Sequence, residues 1–291
     1  MWSETNESLG QFLFFGCWNK DGCADPNGPE AAVAASVRAR PERFLLIGGD
    51  NVYPDVIPSA VPGGKAAKVH PVSRVEQGFL CISAPQYQIL AALGNHNITE
   101  SPTIRNEHAR LHRENLIFLP NDYYMRIFHG DKKALIVLDT NAVGDEHAAM
   151  LDWFVESLNR LAELGIHMYY LVQHEPFVSY KADGARQKNQ VLKNGTELLD
   201  ILVQFPPAMI LVADTHNYQL GIITYKGRKL IQVVSGTGGA DLDDVGIVGG
   251  PIENFPGTYE VLDSAVAYGY QVVRDYSPAF VNVRSSNAES L

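Results

Sequence analysis

Residues 44–53, with the sequence FLLIGGDNVY, decide how the rest of the chain is interpreted. Four apolar residues have the length of a buried β-strand, and two glycines then allow the backbone to turn sharply beside another group. Asp50, Asn51 and Tyr53 follow at once, so the strand delivers oxygen atoms to its carboxyl end. Taken alone, the stretch also fits an ordinary strand that ends in an Asx turn. The residues at the ends of the other predicted strands decide between these two interpretations.

The same arrangement recurs at the ends of four more apolar runs. The residues that follow these runs are Cys17 and Asn19, Asn95 and His96, His174, and Asp214 and His216. A helical segment at 29–40 separates the first run from the strand at 44–47, and this order predicts a βαβ unit whose loops lie side by side at one sheet edge. We therefore expect Cys17 and Asp50 to be neighbours, and the five loops to form one site.

The remaining segments complete an α/β chain. Helices are predicted at 72–82, 100–114, 145–164 and 194–205 from their apolar spacing and flanking residues. Further strands are predicted at 11–15, 87–93, 122–128, 134–139, 168–172 and 209–213, and then in a meander at 220–225, 230–235, 258–261, 265–273 and 279–283. Residues 54–71 are predicted to form a long surface loop.

Composition limits the classes of function. The 291 residues are 46% hydrophobic and 19% charged, which is enough apolar material for a large core. We expect a single domain over 1–291 with flexible ends at 1–9 and 286–291. The formal net charge of −10 argues against nucleic acid or an anionic membrane surface as a partner. The sequence contains no run of about 18 apolar residues, so it predicts no transmembrane helix.

The ends and the cysteines bear on localisation. The amino terminus is acidic and polar, whereas a secretory signal begins with basic residues and has an apolar centre. Cys17, Cys23 and Cys81 lack the spacing of a zinc knuckle and cannot all pair with one another. A reducing compartment is the simpler interpretation. We therefore expect a cytoplasmic protein, or one that leaves the cytoplasm without a classical signal peptide.

The donor types at the strand ends are those of a two-metal site. Two cations about 3.5 to 4 Å apart need a bridging carboxylate and several imidazole and carbonyl ligands, and Asp50 is the predicted bridge. Plain structural explanations stay open: His174 as a satisfied buried histidine, Asn95 as a turn residue, Tyr53 as core and Asp214 as a helix cap. The recurrence of donors in five loops favours the metal interpretation.

The sequence resembles the calcineurin-like metallophosphoesterases, and within them the small purple acid phosphatases. The motifs that carry the resemblance are GGDNVY at 48–53, GNH at 94–96, His174 with Pro176, DTHN at 214–217 and SGTGG at 235–239. The resemblance covers about residues 11–239. It implies an α/β fold in which a sandwich of two mixed β-sheets is flanked by α-helices, giving four layers. It also implies hydrolysis of a phosphate-ester substrate, a phosphomonoester, by in-line attack of a hydroxide held by two metal ions.

The resemblance further implies the residues of the site, with Asp50 bridging two metal ions. One metal ion takes Cys17, Tyr53 and His216, and the other takes Asn95, His174 and Asp214. His96 then hydrogen-bonds the phosphate or protonates the leaving group, because imidazole is the side chain that changes charge near neutral pH.

Two positions depart from the family pattern. Cys17 stands where the family has aspartate in its first motif, and Asp214 stands where it has the first histidine of GHxH. A thiolate at Cys17 favours zinc or ferrous iron, whereas a carboxylate at Asp214 favours hard divalent ions such as manganese. The expected cofactors are therefore two metal ions, of iron, zinc or manganese. Cys17 can also simply pack as a small buried residue.

Two other functions fit the same residues. Phosphodiesterase action on nucleotides keeps the site and changes the leaving group. A catalytically weakened phosphoesterase fold can instead serve as a binding or effector module. The acidic, glycine-rich segment 236–256 is expected to fold over the site, where its charge would disfavour strongly anionic substrates.

Overall fold

The computed structural model describes residues 1–23, 25–57, 67–69, 71–98, 102–249, 251–273 and 284–287. Its helices are α1 (Pro29–Arg38), α2 (Val72–Ile82), α3 (Asn95–Ile98), α4 (Pro102–Arg113), α5 (Asp145–Glu163) and α6 (Gly195–Leu202). Its strands are β1 (Trp2–Thr5), β2 (Phe12–Phe15), β3 (Phe44–Ile47), β4 (Asp55–Ile57), β5 (Ala67–Val69), β6 (Gln88–Ala91), β7 (Tyr124–Phe128), β8 (Lys133–Val137), β9 (Met168–Val172), β10 (Val178–Ser179), β11 (Ala182–Asp183), β12 (Arg186–Gln187), β13 (Gln190–Val191), β14 (Met209–Val212), β15 (Tyr218–Tyr225), β16 (Arg228–Ser235), β17 (Thr258–Ala265), β18 (Gly269–Val273) and β19 (Arg284–Asn287).

The longer strands form two mixed sheets. The first has the strand order β19-β18-β2-β3-β6, in which β2, β3 and β6 are parallel and β18 runs antiparallel to its neighbours. The second has the order β1-β7-β8-β9-β14-β16-β15-β17. Its centre, from β8 through β9 and β14 to β16, is parallel, whereas β15 pairs antiparallel with both β16 and β17.

The two sheets share one core because successive side chains of a strand point to opposite faces. In β8, Leu135 and Val137 belong to a cluster that also contains residues of β2, β3, α1, α2 and α4. Ala134 and Ile136 belong instead to a second cluster with residues of α5 and α6. The layers are therefore helices, five-stranded sheet, eight-stranded sheet and helices. This confirms the four-layer α/β sandwich of two mixed sheets that the resemblance implies.

Helix α5 shows how the sequence pattern sets this packing. Met150, Phe154, Leu158 and Leu161 recur at three- and four-residue spacing and are all buried against the second cluster. Asp145 begins the helix, where a negative charge suits the helix dipole. The predicted and observed bounds agree to within one residue.

The amino terminus differs from the prediction of a flexible end. Residues 2–5 form the edge strand β1, which pairs in parallel with β7. The Trp2 indole Nε1 donates a hydrogen bond to Ser157 Oγ at 2.9 Å, and the guanidinium of Arg160 lies 5.1 Å from the Trp2 ring centre. A four-residue edge strand has too few apolar residues to be read from the sequence, so tertiary contacts decide its order.

Short strands also escaped prediction. The expected loop at 54–71 contains the antiparallel pair β4 and β5, and the segment 178–191 contains the pairs β10–β13 and β11–β12. Strands of two or three residues carry no periodicity that a sequence can show. The predicted strand at 279–283 lies outside the described residues, while residues 286 and 287, predicted to lie in a flexible end, belong to β19.

Two of the three cysteines form a disulfide, which the interpretation of a reducing compartment did not anticipate. Cys23, in the loop after β2, forms a disulfide with Cys81 of α2, and Cys17 is buried and free. Disulfides form and persist mainly in oxidising compartments. The 58-residue separation between the partners gave no sign of their proximity, which the fold creates. Among the described helices, none is both long enough and apolar enough to cross a bilayer.

Candidate metal centre

Five strands end together at one edge of the sandwich, β2, β3 and β6 from one sheet and β9 and β14 from the other. The residues that follow them there are Cys17, Asp50, Asn95, His174 and Asp214. Main-chain hydrogen bonds fasten the loops to one another: Cys17 N donates to Gly49 O at 3.0 Å, and Ala213 N donates to His174 O at 2.8 Å. The predicted proximity of Cys17 and Asp50 is confirmed.

Three of these residues have a left-handed backbone. The φ angles are 55° at Cys17, 50° at Asp50 and 54° at Asp214. Such values are uncommon for residues other than glycine and cost on the order of 1 kcal/mol each. Strained residues that direct donor atoms to one place from three separate strands are typical of functional sites.

Two glycines make this close approach possible. A Cβ atom at Gly94 would collide with a carboxylate oxygen of Asp50, and one at Gly49 would lie 2.6 Å from His174 Nδ1. Gly49 also has a φ of 95°, which side chains disfavour. The glycines of the GGD and GNH motifs are therefore required by packing around Asp50 and His174.

Three oxygen atoms surround Nε2 of the buried His174. Asn95 Oδ1 lies at 3.1 Å, Asp50 Oδ2 at 3.3 Å and Asp214 Oδ1 at 3.4 Å. An imidazole nitrogen has at most one proton to share among them. Ligands bound to a metal ion at about 2.1 Å are themselves about 3.0 to 3.4 Å apart in octahedral or tetrahedral coordination. The observed separations match the edges of such a coordination shell.

Both histidines are oriented from behind by carbonyl groups. His174 Nδ1 lies 2.8 Å from Gly48 O, and His216 Nδ1 lies 2.6 Å from Asp241 O. When Nδ1 donates to a carbonyl, Nε2 presents its lone pair on the other side, which is how proteins commonly orient metal-binding imidazoles. The residues present therefore fit a metal ion in both donor type and orientation.

The cluster has two halves. One is the group of atoms around His174 Nε2, and the other is formed around Tyr53. Its hydroxyl lies 3.1 Å from His216 Nε2 and is also hydrogen-bonded to Cys17. The Cys17 Sγ atom and donor atoms of Asp50 and His174 all lie within 4.8 Å of one another. Asp50 thus lies between the two halves, and the structure brings together all seven residues predicted as ligands.

Electrostatics favour a cation at this buried cluster. Burial opposes the charged form of His174, but Asp50 and Asp214 outweigh burial and raise the pKa of His174 well above its usual value. Burial likewise opposes charge on Asp214, yet His174 lowers the pKa of Asp214 to about 2. Burial, Asp50 and Asp214 raise the pKa of the Cys17 thiol, a preference that a bound metal ion reverses.

Comparison with known proteins identifies the fold. No protein-family model and no curated protein matches the chain. The solved purple acid phosphatase PPD1 from yellow lupin (Lupinus luteus) seeds matches 92% of this chain and 49% of its own, with a TM-score of 0.63 and 14% identity. GAP50, the anchor in the inner membrane complex of Plasmodium, matches 96% of this chain and 84% of its own, with a TM-score of 0.61 and 14% identity. PhoD matches 98% of this chain and 69% of its own, with a TM-score of 0.57 and 13% identity.

The chain has a metallophosphoesterase fold. At such low identity the likeness establishes the fold alone, and this chain spans about half the length of the lupin phosphatase. Among the described residues, Cys17, Asp50 and His174 form a buried cluster that could hold a metal ion.

On this fold, His96 lies where the cluster meets solvent. Its main-chain N–H donates to Asp50 Oδ1 at 3.0 Å, and its Nε2 lies 4.0 Å from Asp50 Oδ2. Its ring packs against Tyr53 with 4.7 Å between ring centres, and 22% of its side chain is exposed. The imidazole therefore borders both the cluster and solvent.

Gln190 belongs to the site but was missed by sequence reasoning. Its Nε2 donates to Asp214 Oδ2, and its Oε1 accepts from Thr215 Oγ1 at 2.9 Å. Gln190 is the cross-strand partner of Ser179, whose Oγ lies 2.6 Å from Thr215 Oγ1. One oxygen of Asp214 is thus held by Gln190 while the other faces His174. A glutamine in a two-residue strand gives no signal in a single sequence.

A buried polar network also supports the β3 and β6 loops. Asn97 Oδ1 accepts from Gly94 N at 2.9 Å and from Asn51 N at 3.3 Å. Asn51 Nδ2 donates to His108 Nε2 at 3.1 Å, and His108 Nδ1 donates to Ile104 O at 2.9 Å. Burial lowers the pKa of His108 to about 4, so its imidazole is neutral and can accept. The network ties both loops to α4.

The acidic segment after β16 packs against the site. His216 N donates to Asp243 Oδ2 at 2.9 Å, and Asp243 N donates to His216 O at 2.8 Å. Lys181 Nζ lies 2.7 Å from Asp243 Oδ2, and Asp244 forms a bridge with Ala182. The segment therefore fixes the main chain of a predicted ligand.

Proposed function

We propose that the protein is a metal-dependent phosphoesterase that hydrolyses phosphomonoesters. The observation that carries this proposal is the group of oxygen atoms from Asp50, Asn95 and Asp214 around His174 Nε2, at separations of 3.1 to 3.4 Å. The group lies at the carboxyl ends of parallel strands, where α/β sheets commonly bind ligands. The likeness in fold to a purple acid phosphatase and to PhoD supports the same class of reaction.

Two bound divalent metal ions supply charge neutralisation for the phosphate and activation of the attacking water. Asp50 would contribute its carboxylate to holding both ions. The residues that would hold one ion are Asn95, His174 and Asp214, and those that would hold the other are Cys17, Tyr53 and His216.

His96 is proposed to protonate the leaving group. Its imidazole lies beside Asp50 and is partly exposed, so a substrate oxygen can approach it from solvent. Its main-chain N–H, which donates to Asp50 Oδ1, keeps this carboxylate in place during turnover. A histidine suits this role because imidazole exchanges protons near neutral pH.

Hydrolysis of p-nitrophenyl phosphate by purified protein tests the proposal. We expect turnover together with two metal ions per chain by mass spectrometry, and a loss of about a thousand-fold or more in Asp50→Ala. Asp200→Ala is the matched control, because Asp200 is an exposed carboxylate paired with Lys226 outside the cluster. An Asp50→Ala enzyme as active as the Asp200→Ala enzyme would disprove the proposal.

Two further measurements refine it. A visible absorption band from Tyr53 bound to ferric iron would identify iron, and its absence in an active enzyme would indicate zinc, manganese or ferrous iron. Faster hydrolysis of bis-p-nitrophenyl phosphate than of the monoester would assign the enzyme to the phosphodiesterases instead.

A binding or effector module is the second candidate function. It is favoured by Cys17 and Asp214, which replace expected ligand types, and by the likeness in fold to an anchor protein of the Plasmodium inner membrane complex. Metal-loaded, folded protein without turnover would support it, and robust turnover would exclude it.

A further inference from the structure

An arginine faces the space between the two sheets. In β7, Tyr124 and Phe128 belong to the core shared by the sheets, whereas Met125 and Ile127 belong to the core on the other side. By this alternation Arg126 points between the sheets, and only 12% of its side chain is exposed. Arginine is rarely buried to this extent without a charged partner.

The guanidinium lies at a cavity, which we call the arginine cavity. Its volume is about 380 Å³, and its walls include Tyr87, Gln88, His112, Leu116, Phe118 and Arg126. Gln88 is the first residue of β6, whereas Asn95 of the metal cluster follows the other end of this strand. The arginine cavity and the metal cluster therefore lie at opposite ends of the strands.

Aromatic rings hold the guanidinium of Arg126 in place. Its Cζ atom lies 4.5 Å from the ring centre of Phe118, 5.4 Å from that of Phe128 and 5.9 Å from that of Phe44. The group has five N–H donors. Among the described residues it makes one hydrogen bond, from Nη2 to Gln88 Oε1 at 2.9 Å. Its other donors therefore have no hydrogen-bond partner among the described residues.

The charge of Arg126 is incompletely neutralised. Glu7 Oε2 lies 3.9 Å from Arg126 Nη2, beyond hydrogen-bond distance, while Glu7 Oε1 pairs with Arg43 Nη2. Burial lowers the pKa of Arg126, and Arg43 adds to this effect against the opposing influence of Glu7. Two guanidinium groups thus share one carboxylate, on a chain whose formal net charge is −10.

We propose that the arginine cavity binds a small carboxylate anion that carries an apolar ring. A planar guanidinium matches a carboxylate through two parallel hydrogen bonds, and the carboxylate of Glu7 already approaches this guanidinium. Tyr87, Leu116 and Phe118 offer an apolar wall for the ring. This site is independent of the metal cluster and of the proposed phosphoesterase activity.

Benzoate is the probe, and benzamide is its uncharged counterpart. Isothermal titration calorimetry on the full chain at low salt is expected to show one benzoate per chain, with benzamide at least about ten-fold weaker. Arg126→Gln is expected to weaken benzoate binding by about ten-fold or more, because it removes the charged donor.

Two further variants complete the test. Glu7→Gln removes the carboxylate that competes for the guanidinium groups, so benzoate is expected to bind about three-fold or more tightly. Arg160→Gln is the matched control: Arg160 also lies over an aromatic ring, that of Trp2, and pairs with Glu4 away from the cavity. It is expected to leave benzoate binding unchanged. If Arg126→Gln fails to fold, the Glu7→Gln and benzamide results still decide.

Four outcomes would overturn the proposal. Wild-type protein that binds no benzoate would do so, as would equal affinity in wild type and Arg126→Gln. If inorganic phosphate binds in a way that depends on Arg126 and benzoate does not bind, the assignment of a carboxylate ligand is refuted. Benzoate binding that is lost in Asp50→Ala and kept in Arg126→Gln would place the anion at the metal cluster instead.

Discussion

The two ends of strand β6 bury charge of opposite sign. At the carboxyl end, Asp50 and Asp214 face the single imidazole of His174. At the amino end, the largely buried Arg126 and the exposed Arg43 share the carboxylate of Glu7. A buried charge without a full partner is costly, so each end favours a ligand of the opposite sign. The comparison indicates a cation site and an anion site within one sandwich.

The two ends are also built differently. The carboxyl end uses loops, in which Cys17, Asp50 and Asp214 adopt left-handed backbone and glycines allow close contact. The amino end uses the regular alternation of β7, which points Arg126 inward without unusual backbone angles. Loops can gather donors from both sheets around one point, whereas a strand can offer one side chain to a cavity.

Metal ions are expected to have the largest effect, and only at the carboxyl end. A ligand that binds the native state at a hundred times its Kd stabilises it by about 2.7 kcal/mol, so two metal ions together contribute about 5 kcal/mol. In thermal unfolding with zinc or manganese, this gain is expected in wild type and in Arg126→Gln and is expected to be absent in Asp50→Ala.

Benzoate is expected to give the reverse pattern, with stabilisation kept in Asp50→Ala and lost in Arg126→Gln. Metal stabilisation that is equally strong in both variants would remove the proposed distinction between the two ends.

The next largest expected effect is a pH dependence of stability that arises from the buried, neutral His108. Burial lowers the pKa of His108 from 6.5 to about 4. Between these values the unfolded chain binds a proton at His108 and the native chain does not, so stability falls as the pH falls. The full effect is about 3 kcal/mol. Urea unfolding from pH 7 to 4.5 is expected to show a smaller loss of stability in His108→Gln than in wild type.

His129→Gln is the control for this prediction, since His129 is exposed and pairs with Glu4. If His108→Gln and wild type lose stability in parallel over this pH range, the histidine is not held neutral and the network behind Asn51 has another basis.

Removal of Gln190 is expected to have a smaller effect, confined to the metal cluster. Gln190→Ala frees Asp214 Oδ2, so the carboxylate is no longer fixed with one oxygen towards His174. Partners of this kind change metal affinity by about ten-fold or more. Calorimetric titration with zinc or manganese measures the loss, and benzoate binding at the arginine cavity is expected to stay the same.

Gln187→Ala is the matched control, because Gln187 lies in the same segment and bonds to Ile247 N rather than to Asp214. Equal metal affinity in the two variants would show that Gln190 does not position the ligand.

Much of the cluster could be predicted from the sequence because its residues follow apolar runs. The βαβ order of β2, α1 and β3 is enough to predict that Cys17 lies beside Asp50, as the structure confirms. The strand-end pattern supplied the other candidate donors, the resemblance to metallophosphoesterases assigned them to two metal ions, and the fold that it implies is confirmed. Their binding to metal ions stays a prediction that the experiments above test.

Other features depend on contacts that leave no local pattern. Gln190 reaches Asp214 from a two-residue strand, and Cys23 meets Cys81 across 58 residues. Strand β1 is ordered by pairing with β7 and by the contact of Trp2 with Ser157. In each case the stabilising partner is distant in the chain, so its effect appears only when the sheets and helices pack.

The sequence by itself determined the helices, the strands and the carboxyl-end donors, because apolar periodicity and strand-end residues are local properties of the chain. The family resemblance implied the four layers. The tertiary structure decided how these donors are oriented. It put the imidazole of His174 within 3.4 Å of three oxygen atoms and held Asp214 with Gln190. It also placed Arg126, an isolated basic residue in the sequence, in the wall of the arginine cavity. Packing between two sheets fixes such distances, and no local pattern encodes them.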